Sequence, residues 1–135
     1  MKRITKLMIG IMSLLILASC YKDVGPIEPQ SNLPTEDISF SKNIQPVFNS
    51  SCIACHPSSG NLDLTPENSY NSLVNKESSG YNGILVIPED PDNSILYKKI
   101  DGSGLYGGNM PPGYNLTESQ VEMFRQWIAE GAKNN

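Results

Sequence analysis

The sequence predicts an all-α domain over residues 38–135, and three observations support this prediction. Before a pair of cysteines, the apolar residues Phe40, Ile44, Val47 and Phe48 recur at helical spacing. Near the C-terminus, a capping box is followed by an apolar stripe with the same period. Between these two segments, the sequence lacks the alternation of strands and helices that would indicate a parallel sheet. With 135 residues, the chain has room for one such domain.

The domain is predicted to begin near Ile38, and its first helix is predicted to have Ser39 or Ser41 as its N-cap. Pro46 must lie in the first turn of this helix or kink it, because proline has no N–H to donate. We expect the helix to end near Ser50 or to continue into the turn that carries the cysteines.

Shorter elements are predicted in the middle of the chain. Residues 57–68 are loop-like, and residues 69–76 are expected to form a short helix. Residues 84–87 are an apolar run before a proline, which indicates a strand or an extended segment. Residues 91–100 are expected to form another helix, because their apolar residues follow helical spacing and proline suits a first turn.

The C-terminal part of the chain combines a loop with the most clearly marked helix. Residues 101–115 include five glycines and two prolines, which is typical of a loop with tight backbone turns. Thr117 and Gln120 form the capping box, and Gly131 stands where a helix stop is expected. The apolar stripe between them consists of Val121, Phe124, Trp127 and Ile128.

Residues 1–19 have the anatomy of a secretory leader. Basic residues precede an apolar run from Leu7 to Ala18, which is shorter than the roughly 20 residues of a transmembrane helix. Cys20 directly follows Leu-Ala-Ser, and this arrangement resembles the lipobox of bacterial lipoproteins, in which the cysteine is lipidated. An ordinary signal peptide followed by a chance cysteine is the alternative. Residues 20–37 contain three prolines and are predicted to form a flexible linker.

Removal of the leader changes the charge of the chain. The leader holds three of the ten lysines and arginines, so seven remain against fourteen acidic residues, a formal charge of −7. This balance argues against nucleic-acid binding. It favours a protein partner with basic docking patches, although solubility alone explains it equally well.

The segment CIACH at residues 52–56, called the CIACH turn below, holds two cysteines and the only histidine of the chain. A thioredoxin-like disulfide is one interpretation, but such pairs follow a strand in a βαβ unit. A structural zinc site is another, but it needs four ligands, and Cys20 stands at the far end of the linker. Both interpretations therefore fit poorly.

Covalent haem is the third interpretation, because C-x-x-C-H is the attachment signature of c-type haem. Cys52 and Cys55 would form thioethers with the haem vinyl groups, and His56 would be the proximal iron ligand. The attachment chemistry takes place outside the cytoplasm, where the leader would deliver the chain. A haem would also add apolar surface to a domain whose own core is small. One covalent haem c is therefore the predicted cofactor.

Further stretches resemble single-haem cytochrome c domains of the kind often called planctomycete-type. The resemblance spans residues 40–132 and includes residues 44–48 (IQPVF), 60–64 (GNLDL), 91–97 (PDNSILY), 108–113 (GNMPPG), 126–128 (QWI) and 131–132. It implies N- and C-terminal helices packed together, with Phe40 or Phe48 meeting Phe124 or Trp127. It also implies an axial methionine placed before a proline in the loop ahead of the last helix.

Met110 is the predicted sixth iron ligand. Beyond the leader the chain has two methionines, and Met123 falls beside the apolar stripe of the last helix, as core or partly exposed filler. Met110 stands between glycines and before two prolines, which would stiffen the loop that presents its sulfur. Because His56 is the only histidine, no second histidine of this chain can ligate the iron. The alternative is a methionine that only covers the haem edge, with five-coordinate iron.

Other side chains are expected near the haem. Candidate pocket walls are Leu62, Leu64, Ile87 and Leu96. Candidate partners of the haem propionates are Tyr97, Tyr106, Lys98, Lys99 and Arg125, although a solvated position is the simpler interpretation for each. A carbonyl that orients the Nδ1 proton of His56 is expected, but the sequence does not identify it.

These features predict a single-electron carrier rather than an enzyme, because two axial ligands leave the iron no open position for a substrate. The carrier would be lipid-anchored to a bacterial membrane on its extracytoplasmic side, at the periplasmic face or cell surface, and would serve redox partner proteins. One alternative is a haem-based ligand or gas sensor, or a peroxidatic module, with a displaceable Met110. Another is a structural interaction module in which haem mainly supports folding.

Overall fold

The computed structural model describes residues 36–135, whose regular secondary structure is mainly helical. A π-helical turn, Phe40–Ile44, leads into helix α1, Gln45–Ser51, and a 3₁₀ turn follows at Ser59–Asn61. The later helices are α2, Ser69–Leu73, α3, Ile95–Ile100, and α4, Glu118–Ala129. Strand pairing in this part of the chain is limited to two isolated bridges, Val74 with Val86 and Glu77 with Ile84. The prediction of an all-α fold is therefore confirmed.

The predicted leader, Cys20 and most of the linker lie outside the described residues. The last two linker positions are described, and the Asp37 carboxylate accepts a hydrogen bond from the Lys133 ammonium at 2.9 Å. Among the helices of residues 36–135, none has both the length and the apolar character needed to cross a membrane.

The first helical segment begins where the sequence predicts. The Ser39 hydroxyl accepts a hydrogen bond from the Lys42 N–H at 3.3 Å and caps the π-helical turn. Pro46 is the second residue of α1, in the first turn, where a proline is tolerated. The chain therefore passes from the π-helical turn into α1 without a break at this proline.

The core joins this first segment to α4. The ring centroid of Phe40 lies 5.2 Å from that of Trp127, and the centroid of Phe48 lies 5.3 Å from that of Phe124. All four side chains are almost fully buried. Aromatic pairs of this kind contribute about 0.5–1.5 kcal/mol beyond the area they bury. The predicted contact between the two ends of the domain is thus observed.

Helix α4 has the boundaries that its sequence signals predict. The Thr117 hydroxyl accepts the Gln120 N–H at 3.2 Å, and the Gln120 side chain accepts the Thr117 N–H at 3.0 Å. Gly131 adopts φ +97°, in the left-handed region that ends helices, and the Ala132 N–H then donates to the Trp127 carbonyl at 2.9 Å.

Helix α3 begins at Ile95, later than the predicted start near Pro91. Ser94 stands at the N-cap position, but its hydroxyl accepts the Ile87 N–H at 2.8 Å and donates to the Asp90 carbonyl at 2.8 Å. The Ser94 N–H donates to the Pro91 carbonyl at 3.1 Å and closes a turn ahead of the helix. The hydroxyl therefore ties this turn to the preceding segment instead of capping α3.

Residues 84–87 are largely extended, in agreement with the prediction, and they connect the chain after α2 to the start of α3. The Leu85 N–H donates to the Lys76 carbonyl at 2.7 Å, and the Leu96 N–H donates to the Leu85 carbonyl at 2.9 Å. Helix α2 itself ends at Leu73, three residues earlier than predicted. Lys76, Leu85 and Leu96 thereby come to line one cavity.

Candidate functional site

The CIACH turn follows the end of α1 and is closed by hydrogen bonds that bring its three reactive side chains together. The N–H groups of Cys55 and His56 both donate to the Cys52 carbonyl, at 3.1 and 2.9 Å. Residues three and four positions apart share one side of a helical turn. In agreement with this geometry, both thiols and the imidazole line the same cavity. The C-x-x-C-H spacing therefore has a local structural cause.

The His56 ring is oriented by a backbone carbonyl that the sequence does not identify. Its Nδ1 atom lies 2.9 Å from the Ser59 carbonyl oxygen. Because a carbonyl oxygen can only accept, Nδ1 carries the proton, and in the neutral ring Nε2 keeps a free lone pair. The His56 carbonyl in turn accepts the N–H of the buried Leu64 at 2.7 Å. This arrangement is the one that a metal-ligating histidine requires.

Cys52 and Cys55 are free thiols in the described part of the chain. Burial, followed by the electrostatic effect of Cys55, raises the pKa of the Cys52 thiol to about 11. The nucleophilic cysteine of a thioredoxin-like pair has a lowered pKa. Cys52 is instead a neutral thiol at neutral pH, so the thioredoxin-like interpretation gains no support.

Met110 reaches the same cavity from a distant part of the sequence. It belongs to residues 101–115, called the Met110 loop below, which connect α3 to α4. The Met110 N–H donates to the Lys99 carbonyl at 2.8 Å, and the following Pro111 is buried. Both Met110 and Pro111 line the cavity. Met123 is partly buried against the core and is not among the lining residues, in agreement with its prediction as filler.

A single cavity of about 810 Å³ thus brings together Cys52, Cys55, His56 and Met110. This volume lies within the roughly 300–1,000 Å³ that small-molecule and cofactor sites occupy. The apolar side chains that line it are Phe48, Leu62, Leu64, Leu73, Leu85, Ile95, Leu96, Ile100, Leu116 and Phe124. Polar side chains also line it, among them several from residues 71–81.

The predicted pocket walls are mostly in place. Leu62, Leu64 and Leu96 line the cavity. Ile87 is not among the lining residues, because the chain turns there and the Asp90 N–H donates to the Ile87 carbonyl at 3.0 Å. Leu85, two residues earlier, lines the cavity instead.

Two of the basic residues considered for the propionates are occupied by acidic neighbours. The Lys98 ammonium lies 3.6 Å from the Asp92 carboxylate and 3.4 Å from that of Asp101. Arg125 lies 3.6 Å from the Glu122 carboxylate. Both side chains are partly exposed, so each ion pair contributes about 0–1 kcal/mol.

Lys99 is the one member of the five propionate candidates that lines the cavity. Its ammonium donates to the Tyr106 and Gly108 carbonyls of the Met110 loop, at 2.9 and 2.8 Å. The Lys99 side chain is partly exposed, and its ammonium already has acceptors within the protein.

Within residues 36–135, no group of three or more His, Cys, Asp and Glu side chains is placed to hold a metal ion. Comparison with known proteins finds no matching family model, no similar curated protein and no similar solved structure. Function must therefore be inferred from the residues of the cavity.

Proposed function

We propose that this protein is a single-haem c-type cytochrome that carries single electrons. The observation that supports this proposal is the joint lining of one cavity by Cys52, Cys55, His56 and Met110. Three of these residues form the attachment motif, and the fourth is the methionine that the sequence favours as sixth ligand.

The chemistry of these residues fits a covalent haem. Cys52 and Cys55 would hold it through two thioethers, and His56 and Met110 would supply a nitrogen and a sulfur ligand to its iron. When bound, the haem supplies an iron centre that exchanges one electron between its ferric and ferrous states. The Ser59 carbonyl would keep the His56 ring in its ligating orientation, and the apolar walls would exclude water from the site.

Ligation from both sides supports a carrier over an enzyme or a ligand sensor. Two protein ligands leave no open coordination position for a substrate, and methionine raises the reduction potential. The Met110 N–H bond to Lys99 and the buried Pro111 support a methionine that stays at the cavity. A displaceable Met110 would define the alternative, a gas-binding or peroxidatic module.

We further propose that the carrier is tethered to the extracytoplasmic side of a bacterial membrane. This proposal is based on the leader-like residues 1–19 and on Cys20 as the lipidated residue. More than one lipid chain would make the anchor firm. The linker of residues 20–37 would let the domain reach redox partners, and the formal charge of −7 beyond the leader favours partners with basic patches.

Covalent attachment can be tested with a denaturing gel stained for haem peroxidase activity. The wild-type protein is expected to stain, and the double variant Cys52→Ala/Cys55→Ala is expected not to stain. Ala54→Ser is the matched control, because this exposed residue stands between the two cysteines and its variant should stain like the wild type. Equal staining of the double variant would exclude the attachment motif as the haem site.

Ligation can be tested with the weak charge-transfer band that ferric iron bound to methionine sulfur shows at the red end of the visible spectrum. Met110→Ala is expected to lose this band and to bind CO readily when reduced. Met123→Ala, the control, should keep the band. An unchanged band in Met110→Ala would remove Met110 from the iron, and rapid CO binding by the reduced wild-type protein would favour the sensor alternative.

A further inference from the structure

Lys99 binds the Met110 loop at three points. Its ammonium nitrogen lies 2.9 Å from the Tyr106 carbonyl oxygen and 2.8 Å from that of Gly108. Its own carbonyl accepts the Met110 N–H at 2.8 Å. Lys99 belongs to α3, and its partners lie 7 to 11 residues further along the chain, in the loop. One helical residue therefore holds both the approach to Met110 and Met110 itself.

The ammonium of Lys99 has a third acceptor beside the two loop carbonyls. The Tyr81 hydroxyl lies 3.4 Å from it, and the ammonium lies 5.3 Å from the centroid of the Tyr81 ring. The same ring packs edge-on against Tyr106 at 5.3 Å between centroids. A lysine ammonium has three protons, so three acceptors satisfy it. Each proton of the Lys99 ammonium therefore has an acceptor within the protein, at the side of the cavity.

The backbone between the two bound carbonyls fits closely against this cluster. Gly107 adopts φ +80°, a left-handed conformation that other residues rarely adopt. A Cβ atom added there would lie 3.3 Å from the Tyr81 hydroxyl, which is tighter than ordinary contact. The path of the loop thus depends on Lys99 and Tyr81, two residues outside it.

We propose that Lys99 is the positioning residue that keeps the Met110 sulfur at the cavity, by clamping the Tyr106 and Gly108 carbonyls. The loop contains five glycines, so its backbone has many alternative conformations to adopt when released. Hydrogen bonds from a charged donor are the stronger kind, and two of them restrain this short stretch. The consequence for iron ligation rests on the proposed function, whereas the clamp itself concerns the loop alone.

The test compares Lys99→Met with Lys98→Met in the full-length protein purified in detergent. Both changes remove an ammonium from α3, but Lys98 pairs with Asp92 and Asp101 instead of residues 106–110. Lys99→Met is expected to speed hydrogen exchange of peptides covering residues 106–113 by about tenfold, while exchange in α4 stays unchanged. The same variant should lose the red-end charge-transfer band and bind CO at least about tenfold faster than Lys98→Met.

A second variant keeps the test informative if Lys99→Met does not fold. Tyr81→Phe removes only the weakest of the three acceptors, and it should speed loop exchange by about twofold. Unchanged exchange and an unchanged band in the folded Lys99 variant would overturn the clamp and leave the proposed cytochrome intact. Absence of covalent haem from the wild-type protein would overturn the proposed function. Hydrogen exchange of the loop in the Lys99 variant would still test the clamp.

Discussion

The CIACH turn and the Met110 loop meet at one cavity, but different kinds of interaction hold them there. Inside the turn, two N–H groups share the Cys52 carbonyl, and the Ser59 carbonyl orients His56. The loop is held from outside, by the side chain and carbonyl of Lys99. The histidine of the site is therefore held by residues within four positions of it, and the Met110 loop by a residue of the helix that precedes it.

This difference indicates which of the two segments opens more easily. Local helical bonds form with little loss of chain entropy, whereas a glycine-rich loop loses much entropy when it is ordered. Segments with few internal bonds also open at a lower free energy than the core. We expect the Met110 loop to open before the CIACH turn; under the proposed function, loop residues would then control whether the site carries electrons or binds ligands.

The largest expected effect comes from a change of spacing inside the turn. One alanine inserted between Ala54 and Cys55 rotates the following residues by about 100° around a helical turn. We expect covalent haem to fall more than about tenfold on a stained denaturing gel, because the histidine moves from position i+4 to i+5 relative to Cys52 and leaves the side of the turn that carries the cysteines.

The matched insertion is one glycine between Gly104 and Leu105, in the exposed part of the Met110 loop. Even doubling a flexible loop adds only about 0.6 kcal/mol to its closure. This variant should therefore keep its haem. If the two insertions reduced staining equally, the assignment of local control to the CIACH turn would be wrong.

The next largest effect is expected at the core contact between α1 and α4. Phe124 in α4 packs against Phe48 in α1, and both side chains line the cavity. Phe124→Ala is expected to lower the free energy of unfolding by about 3–5 kcal/mol, because it leaves a cavity in the core. Denaturant titration measures this loss. Met123→Ala, a partly buried neighbour, should cost about 1 kcal/mol, and equal losses would contradict the role of the Phe48 contact.

A smaller effect should be confined to the Met110 loop. Gly107→Ala places a Cβ on a backbone at φ +80° and near the Tyr81 hydroxyl. We expect a destabilisation of about 1–2 kcal/mol and a weaker red-end band, with haem attachment unchanged. Gly108→Ala is the control, because within residues 36–135 its added Cβ has no atom within 4 Å. An equal loss of the band in both variants would show that the backbone conformation at Gly107 has no special role in this loop.

The smallest effect is expected at acid pH, next to the CIACH turn. Hydrogen bonds from Thr65, through its hydroxyl and its N–H, together with one from Asn68 hold the pKa of Asp63 below its usual range. A carboxyl whose pKa is depressed by folding stabilises the folded state above its unfolded pKa of about 3.9. That contribution is lost as the pH falls through the folded pKa.

Asp63→Asn should therefore unfold at a lower denaturant concentration than the wild type at pH 7, and the difference should shrink below about pH 4. Urea midpoints measured at both pH values test this expectation. A difference that stays constant with pH would show that the carboxylate charge is not involved.

Most of the secondary-structure features that were predicted correctly have local causes. The capping box at Thr117 and the stop at Gly131 depend on residues within a few positions, and both are observed. Pro46 was restricted by its missing N–H to a first turn or a kink, and it lies in a first turn. The late start of α3 was not predictable, because Ser94 uses its hydroxyl to bind Ile87, which the sequence alone does not show.

Two contributors to the site carry no sequence signal. Every residue has a carbonyl, so nothing in the sequence distinguishes Ser59 as the partner of His56. Lys99 was considered as a propionate partner, but its ammonium binds loop carbonyls. The assignments of residues 1–19 and Cys20 stay predictions, because they lie outside the described residues.

By itself, the sequence determined the helical character of the domain and the shared orientation of Cys52, Cys55 and His56. Short-range spacing is sufficient for both, because a helical turn places positions three and four residues apart on one side. Only the tertiary structure decided that Met110 joins them at one cavity and that Lys99 ties down its loop. Those contacts form only when packing of the core, Phe48 on Phe124 among its contacts, brings distant parts of the chain together.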